Sequence, residues 1–232
     1  MTTLDLLRAV HIAAGTLALA VMWVPLLSTK GGRLHCRVGR VYVIAMAGVT
    51  LAAIAACTWR LLFDMDPEHR LWATYFLFVA VLAAAQCSLG VRVLRTKSRT
   101  GPHRQPWDIG IALLLVLSGM VIFLWGIRAH IPLFIGFAPL GIVLGVLDLA
   151  YWLRAPRGRL HWWFAHMFGM MGTGISTVSA FVVVNAQHLG LPPDSLAVWL
   201  GPSAVGIPAL VLWMLYYQRR FKRHEAPASQ AA

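Results

Sequence analysis

The chain has 232 residues, 59% of them hydrophobic and only 12% charged, with a mean hydropathy of +0.71. A soluble domain carries about a quarter charged residues, so a soluble globular protein is excluded, and so is a disordered chain. The net charge of +12 falls in short runs between apolar stretches, which is a membrane pattern; the basic loops then face anionic lipid, and no nucleic acid is expected as a partner.

A helix that crosses a bilayer needs about 20 apolar residues. Seven stretches qualify: residues 5–28, 41–63, 71–94, 108–127, 132–153, 160–186 and 196–218. The predicted fold is all-α: a polytopic membrane protein with seven transmembrane helices in one bundle over residues 1–218. A basic, disordered cytoplasmic tail is expected over 219–232.

The first stretch carries Asp5 and Arg8, then a long apolar run that ends at Pro25 with no small-residue cleavage motif. It reads as a retained span rather than a signal peptide. His11 and Gly15 are spaced i, i+4 and share one face. A glycine one turn from a histidine admits a flat group such as a porphyrin on an axial imidazole. It equally admits a tight helix crossing, with His11 bonded to Asn185. A second such pair, His35 and Gly39, sits just before the second span.

Charge in the connections sets the orientation. Lys30, Arg33, Arg37 and Arg40 follow the first span, and Arg92, Arg95, Lys97, Arg99 and Arg104 surround the end of the third. Arg154, Arg157 and Arg159 join the fifth and sixth, and Arg219, Arg220, Lys222 and Arg223 follow the seventh. These sixteen lie on one side, against four (Arg8, Arg60, Arg70 and Arg128) on the other. The positive-inside rule then puts the N-terminus outside and the C-terminus in the cytoplasm. Eight tryptophans near predicted helix ends are ordinary interfacial anchors. Cys36, Cys57 and Cys87 form no CxxC and suggest no disulfide.

Small residues let helices approach in lipid. The fifth span holds Gly141 and Gly145 as a GxxxG, and the sixth carries Gly169, Gly172, Gly174, Ser176, Ser179 and Ala180. These two faces are expected at helix contacts, within the bundle or with a membrane-protein partner or second copy. Pro202 and Pro208 predict a bent or late-starting seventh helix.

Ionisable groups inside a membrane are functional candidates by default. An inner set comprises His35, Asp148, His161 and His166, with His103 and Gln86 nearby; an outer set comprises His11 and Asn185. The short basic loop between the fifth and sixth spans makes them antiparallel neighbours, so Asp148 and His166 are expected at one depth. A carboxylate on a histidine ring fixes its tautomer, as it does for metal ligands and proton relays. His161 and His166 are i, i+5, about 140° apart, and do not chelate one ion together.

The segments HIAAGTLALA, KGGRLHCRVGRVYV and HMFGMMGTGISTVSAFVVVN resemble an uncharacterised family of bacterial predicted membrane proteins, known only as a domain of unknown function. The resemblance spans about a third of the chain, in the first, second and sixth spans. It implies His11, Lys30, Gly32, His35, Gly39, Arg40, His166 and Asn185 as motif positions and implies no activity.

Three functions follow from these residues. The first is a redox protein that binds haem b or another metal through His11, His35 and His166. The second is a metal-dependent lipid hydrolase, with a divalent metal such as zinc held by His35, Asp148, His161 and His166. The third is a cofactor-free transporter or accessory subunit. The only lysines are Lys30, Lys97 and Lys222, so no late helix offers one to a retinal.

Overall fold

The computed structural model describes residues 2–193 and 195–225, with residues 222–225 followed by their backbone alone. The chain is all-helical, and no strand occurs among the described residues. In order the helices are α1 (Thr3–Val21), α2 (Trp23–Leu27), α3 (Arg33–Phe63), α4 (Pro67–Arg92), α5 (Pro106–Ala129), α6 (Pro132–Leu153), α7 (His161–Val184) and α8 (Leu196–Glu225). Among the described residues, seven helical stretches are long and apolar enough to cross a membrane, α1 and α2 together making the first. In lipid every backbone polar group needs an internal partner, and a helix supplies one.

The ends of these helices have local causes. Thr2 caps α1 in a capping box with Asp5. Proline opens α4, α5 and α6, where its missing N–H costs nothing. Pro25 in α2 likewise has no N–H to give the turn before it, and the chain breaks at Met22. Gly31 (φ 77°) and Gly32 then turn the chain into α3.

Helix α3 begins at Arg33, eight residues before the predicted start of the second span, so His35 lies in its first turn. Hydropathy stopped the prediction at Arg40, but a helix continues past the bilayer wherever charged side chains reach water. Helix α8 likewise carries Arg219 and Arg220 on to Glu225, where a disordered tail was expected from residue 219. Residues 226–232 of that tail lie outside the described residues. Pro202 and Pro208 fall inside a helix that is continuous from Leu196.

The chain divides into two compact units, Met1–Thr177 and Val178–Ala232. In the first, α5 and α6 form a close antiparallel hairpin. A Cβ on Gly119 would stand 3.1 Å from the Ile142 nitrogen, and one on Gly145 would stand 2.9 Å from the Ala112 oxygen. Gly141 sits against the Phe78 ring. The GxxxG face is thus taken up within the chain.

Helices α1 and α3 pack with Ala14 against Gly48. Helices α4 and α7 touch at backbone level, where a Cβ on Gly169 would lie 2.6 Å from both the Gln86 oxygen and the Gly90 nitrogen. In the second unit, Leu191 closes the turn after α7 by donating to the Ala186 carbonyl at 2.8 Å, with Gly190 at φ 70°.

Candidate functional site

The backbone contact of Gly90 with Gly169 places His166, one turn earlier on α7, beside α4. Its Nδ1 donates to the Gly90 carbonyl at 2.6 Å. His35 is held in the same way: its Nδ1 donates at 3.0 Å to the carbonyl of Pro25, at the end of α2. Lys30 donates to the carbonyls of Pro25 and Leu26, and burial pushes its ammonium pKa down. The two imidazoles meet with ring centres 6.2 Å apart at 66°.

A histidine whose Nδ1 carries the proton keeps an unprotonated Nε2, the form in which imidazole ligates a metal. Beside the pair, a Cβ on Gly39 would meet nothing within 4 Å among the described residues. Open space therefore lies on α3 one turn from His35.

The other predicted site residues are elsewhere. His11 donates its Nδ1 proton to the Val49 carbonyl at 3.0 Å. Asn185, its expected partner, bonds to Phe181 of its own helix at 2.9 Å. Val49 is fourteen residues along α3 from His35, about 21 Å by helical rise, so His11 shares no ligand with His35. A Cβ on Gly15 would lie 3.8 Å from the Val49 side chain, so this face of α1, with His11 bonded to Val49, lies at the crossing with α3.

Asp148 accepts from Gln86 Nε2 at 3.1 Å and has no bond to His166. Its depth was anticipated, for Gln86 and Gly90 are one turn apart on α4, but Gln86 takes the place expected for His166. His161 uses both ring nitrogens, Nε2 donating to the Lys97 carbonyl at 3.2 Å and Nδ1 accepting from the Tyr151 hydroxyl at 2.9 Å. It has no lone pair left for a metal. Among the described residues no group of three or more His, Cys, Asp or Glu is placed to hold an ion, so the expected four-residue set does not assemble.

One cluster escaped the sequence reading. Asp108, in the first turn of α5, is buried and takes a bidentate pair of bonds from Arg92 at the end of α4. His103 Nε2 adds a third bond at 3.0 Å. Arg99, from the same connection, donates to the Tyr151 carbonyl at 2.6 Å and lies over the Tyr151 ring at 4.3 Å, covering the end of α6. The signal was an acid two residues after Pro106, opening one span, against a basic residue closing the previous one.

The fold and these contacts define a multi-pass membrane protein with a polar layer near one end of its helices. Comparison with protein-family models, with curated proteins and with solved structures found no match.

Proposed function

We propose that the chain is a redox protein of the bacterial cytoplasmic membrane, N-terminus outside and C-terminus in the cytoplasm, that binds a metal centre through His35 and His166. The orientation rests on the sixteen-to-four division of basic residues. The observation that carries the function is the histidine pair itself: two imidazoles in edge contact with centres 6.2 Å apart, each with Nδ1 spent on a backbone carbonyl.

Haem iron fits this donor set best. His35 and His166 would be its protein ligands, whereas hydrolytic zinc needs three protein ligands and an open position. Neither Asp148 nor His161 supplies the third. When bound, haem would supply one-electron transfer. The part of this chain is to fix both imidazoles in the ligating tautomer and to leave room beside Gly39.

The test is an absorption spectrum of the detergent-purified chain, oxidised and dithionite-reduced, with metal analysis of the same sample. A Soret band with sharp reduced bands is expected, lost in His35→Ala and in His166→Ala and kept in His11→Ala and His188→Ala. A colourless, metal-free protein, or bands indifferent to His35 and His166, overturns the reading in favour of a cofactor-free transporter or accessory subunit.

A further inference from the structure

A second polar site lies on different residues. Asp148 is 3% exposed and Gln86 1% exposed, both on helices that qualify as membrane spans. Gln86 Nε2 donates to Asp148, while Gln86 Oε1, on the same amide, is buried with no hydrogen-bond partner among the described residues. No cation pairs with Asp148 there. A small cavity with room for about one water molecule joins Asp148 to Asp108 and is lined also by Ser88 and Trp152. Beyond it stand Arg92 and His103, both on Asp108.

The two acids therefore differ in kind. Asp108 has a guanidinium and an imidazole as partners. Asp148 has one neutral amide, and an uncompensated charge at that depth is costly. A carboxyl so placed, beside an unsatisfied oxygen and a water-sized space, suits a group that takes up and releases a proton.

We propose that Asp148 and Gln86 form an intramembrane proton-binding site, reached from the Asp108 end through that cavity. In the step, an O–H bond of a hydronium ion entering from the His103 side breaks as an O–H bond forms on the Asp148 carboxylate, leaving a neutral acid and water. Release returns the proton to water by the same route. His103 and Arg92, the partly exposed members of the cluster, are the outward groups of this route, and Asp108, which both of them bond, lines the cavity. The site stands independently of the histidine pair.

Infrared difference spectroscopy of the purified full chain tests this. At pH 7 a protonated-carboxyl band is expected that moves on exchange into deuterated water and disappears in Asp148→Asn. Since asparagine has the shape of the protonated acid, that variant should keep its Tm within about 2 °C. Should Asp148→Asn fail to fold, Gln86→Leu, which keeps the carboxyl and removes its partner, must shift the band. A missing band, a band that survives in Asp148→Asn, one that Gln86→Leu leaves in place, or one that resists exchange overturns the proposal. Loss of the band on adding sodium at constant pH also overturns it, in favour of a metal-cation site.

Discussion

His166 donates to the carbonyl of Gly90 at 2.6 Å because Gly169, three residues further along α7, rests on α4 with no side chain between them. The position of the imidazole is set by what is missing at the neighbouring glycine. In lipid, where apolar surface brings no drive for association, such close backbone approach holds helices together.

Gly169→Ala should therefore destabilise the chain by about 1–3 kcal/mol, the range for overpacking a close contact. It should also lengthen the His166–Gly90 bond, lowering the affinity of whatever the histidine pair binds. Gly39→Ala is the matched control. A Cβ there meets nothing within 4 Å, and alanine within a helix is better than glycine by roughly 0.5–1 kcal/mol. Thermal unfolding in detergent reads both, and equal losses from the two changes would contradict the crossing.

Removing the two partners of the Arg92–Asp108 pair should be unequal. The Asp108 side chain is 2% exposed and that of Arg92 27%. Arg92→Met leaves a buried carboxylate with His103 alone, at about 3–5 kcal/mol. Asp108→Asn leaves a guanidinium that reaches water, and the loss should be smaller. The double variant should recover part of the Arg92→Met loss, a coupling that a double-mutant cycle measures. Strict additivity would show that the pair does not act as a unit.

The α3–α4 connection should show its own pH dependence. Asp64 accepts from the Asp66 amide at 3.1 Å, from His69 at 3.0 Å and from Arg60 at 3.4 Å. The backbone bond from Asp66 foremost, then His69 and Arg60, hold its carboxyl below the ordinary aspartate range. Its folded pKa thus lies below its unfolded one, and the stability it contributes is present above the unfolded value. That contribution disappears as pH falls through the folded value. The Tm difference between the natural chain and Asp64→Asn should be constant above about pH 5 and close below about pH 4; a difference that persists at lower pH would contradict the assignment.

His130 ends α5 in the left-handed region, at φ 53° and ψ 43°. That conformation costs a residue with a side chain about 1–2 kcal/mol, and glycine adopts it freely. His130→Gly should raise the Tm by about 2–4 °C, the shift that roughly 1 kcal/mol makes in a chain of this size. His130→Val, β-branched at the same position, should lower it.

Some of the site was legible in the sequence. His35, Asp148 and His166 stood out because an ionisable group in an apolar stretch is conspicuous in one dimension. His35 with His166 was one of the pairings open to the inner set, and the structure brings those rings together. The expected Asp148–His166 contact fails because Gln86 of α4 reaches Asp148. His11 spends its Nδ1 on the Val49 carbonyl, and a Cβ on its glycine would touch Val49, whereas a Cβ on the glycine beside His35 would meet nothing within 4 Å among the described residues. Asp108 was overlooked because an acid in the first turn of a helix is what the helix dipole prefers anyway.

The sequence by itself determined the membrane class and the seven spans. Each helix satisfies its own backbone in lipid, so a span is a property of about twenty consecutive residues and of nothing distant. Only the tertiary structure decided which histidines meet. Their anchors are the backbone carbonyls of Pro25, Val49 and Gly90. Every residue carries such a carbonyl, and it becomes a particular partner only where packing leaves it exposed to another helix.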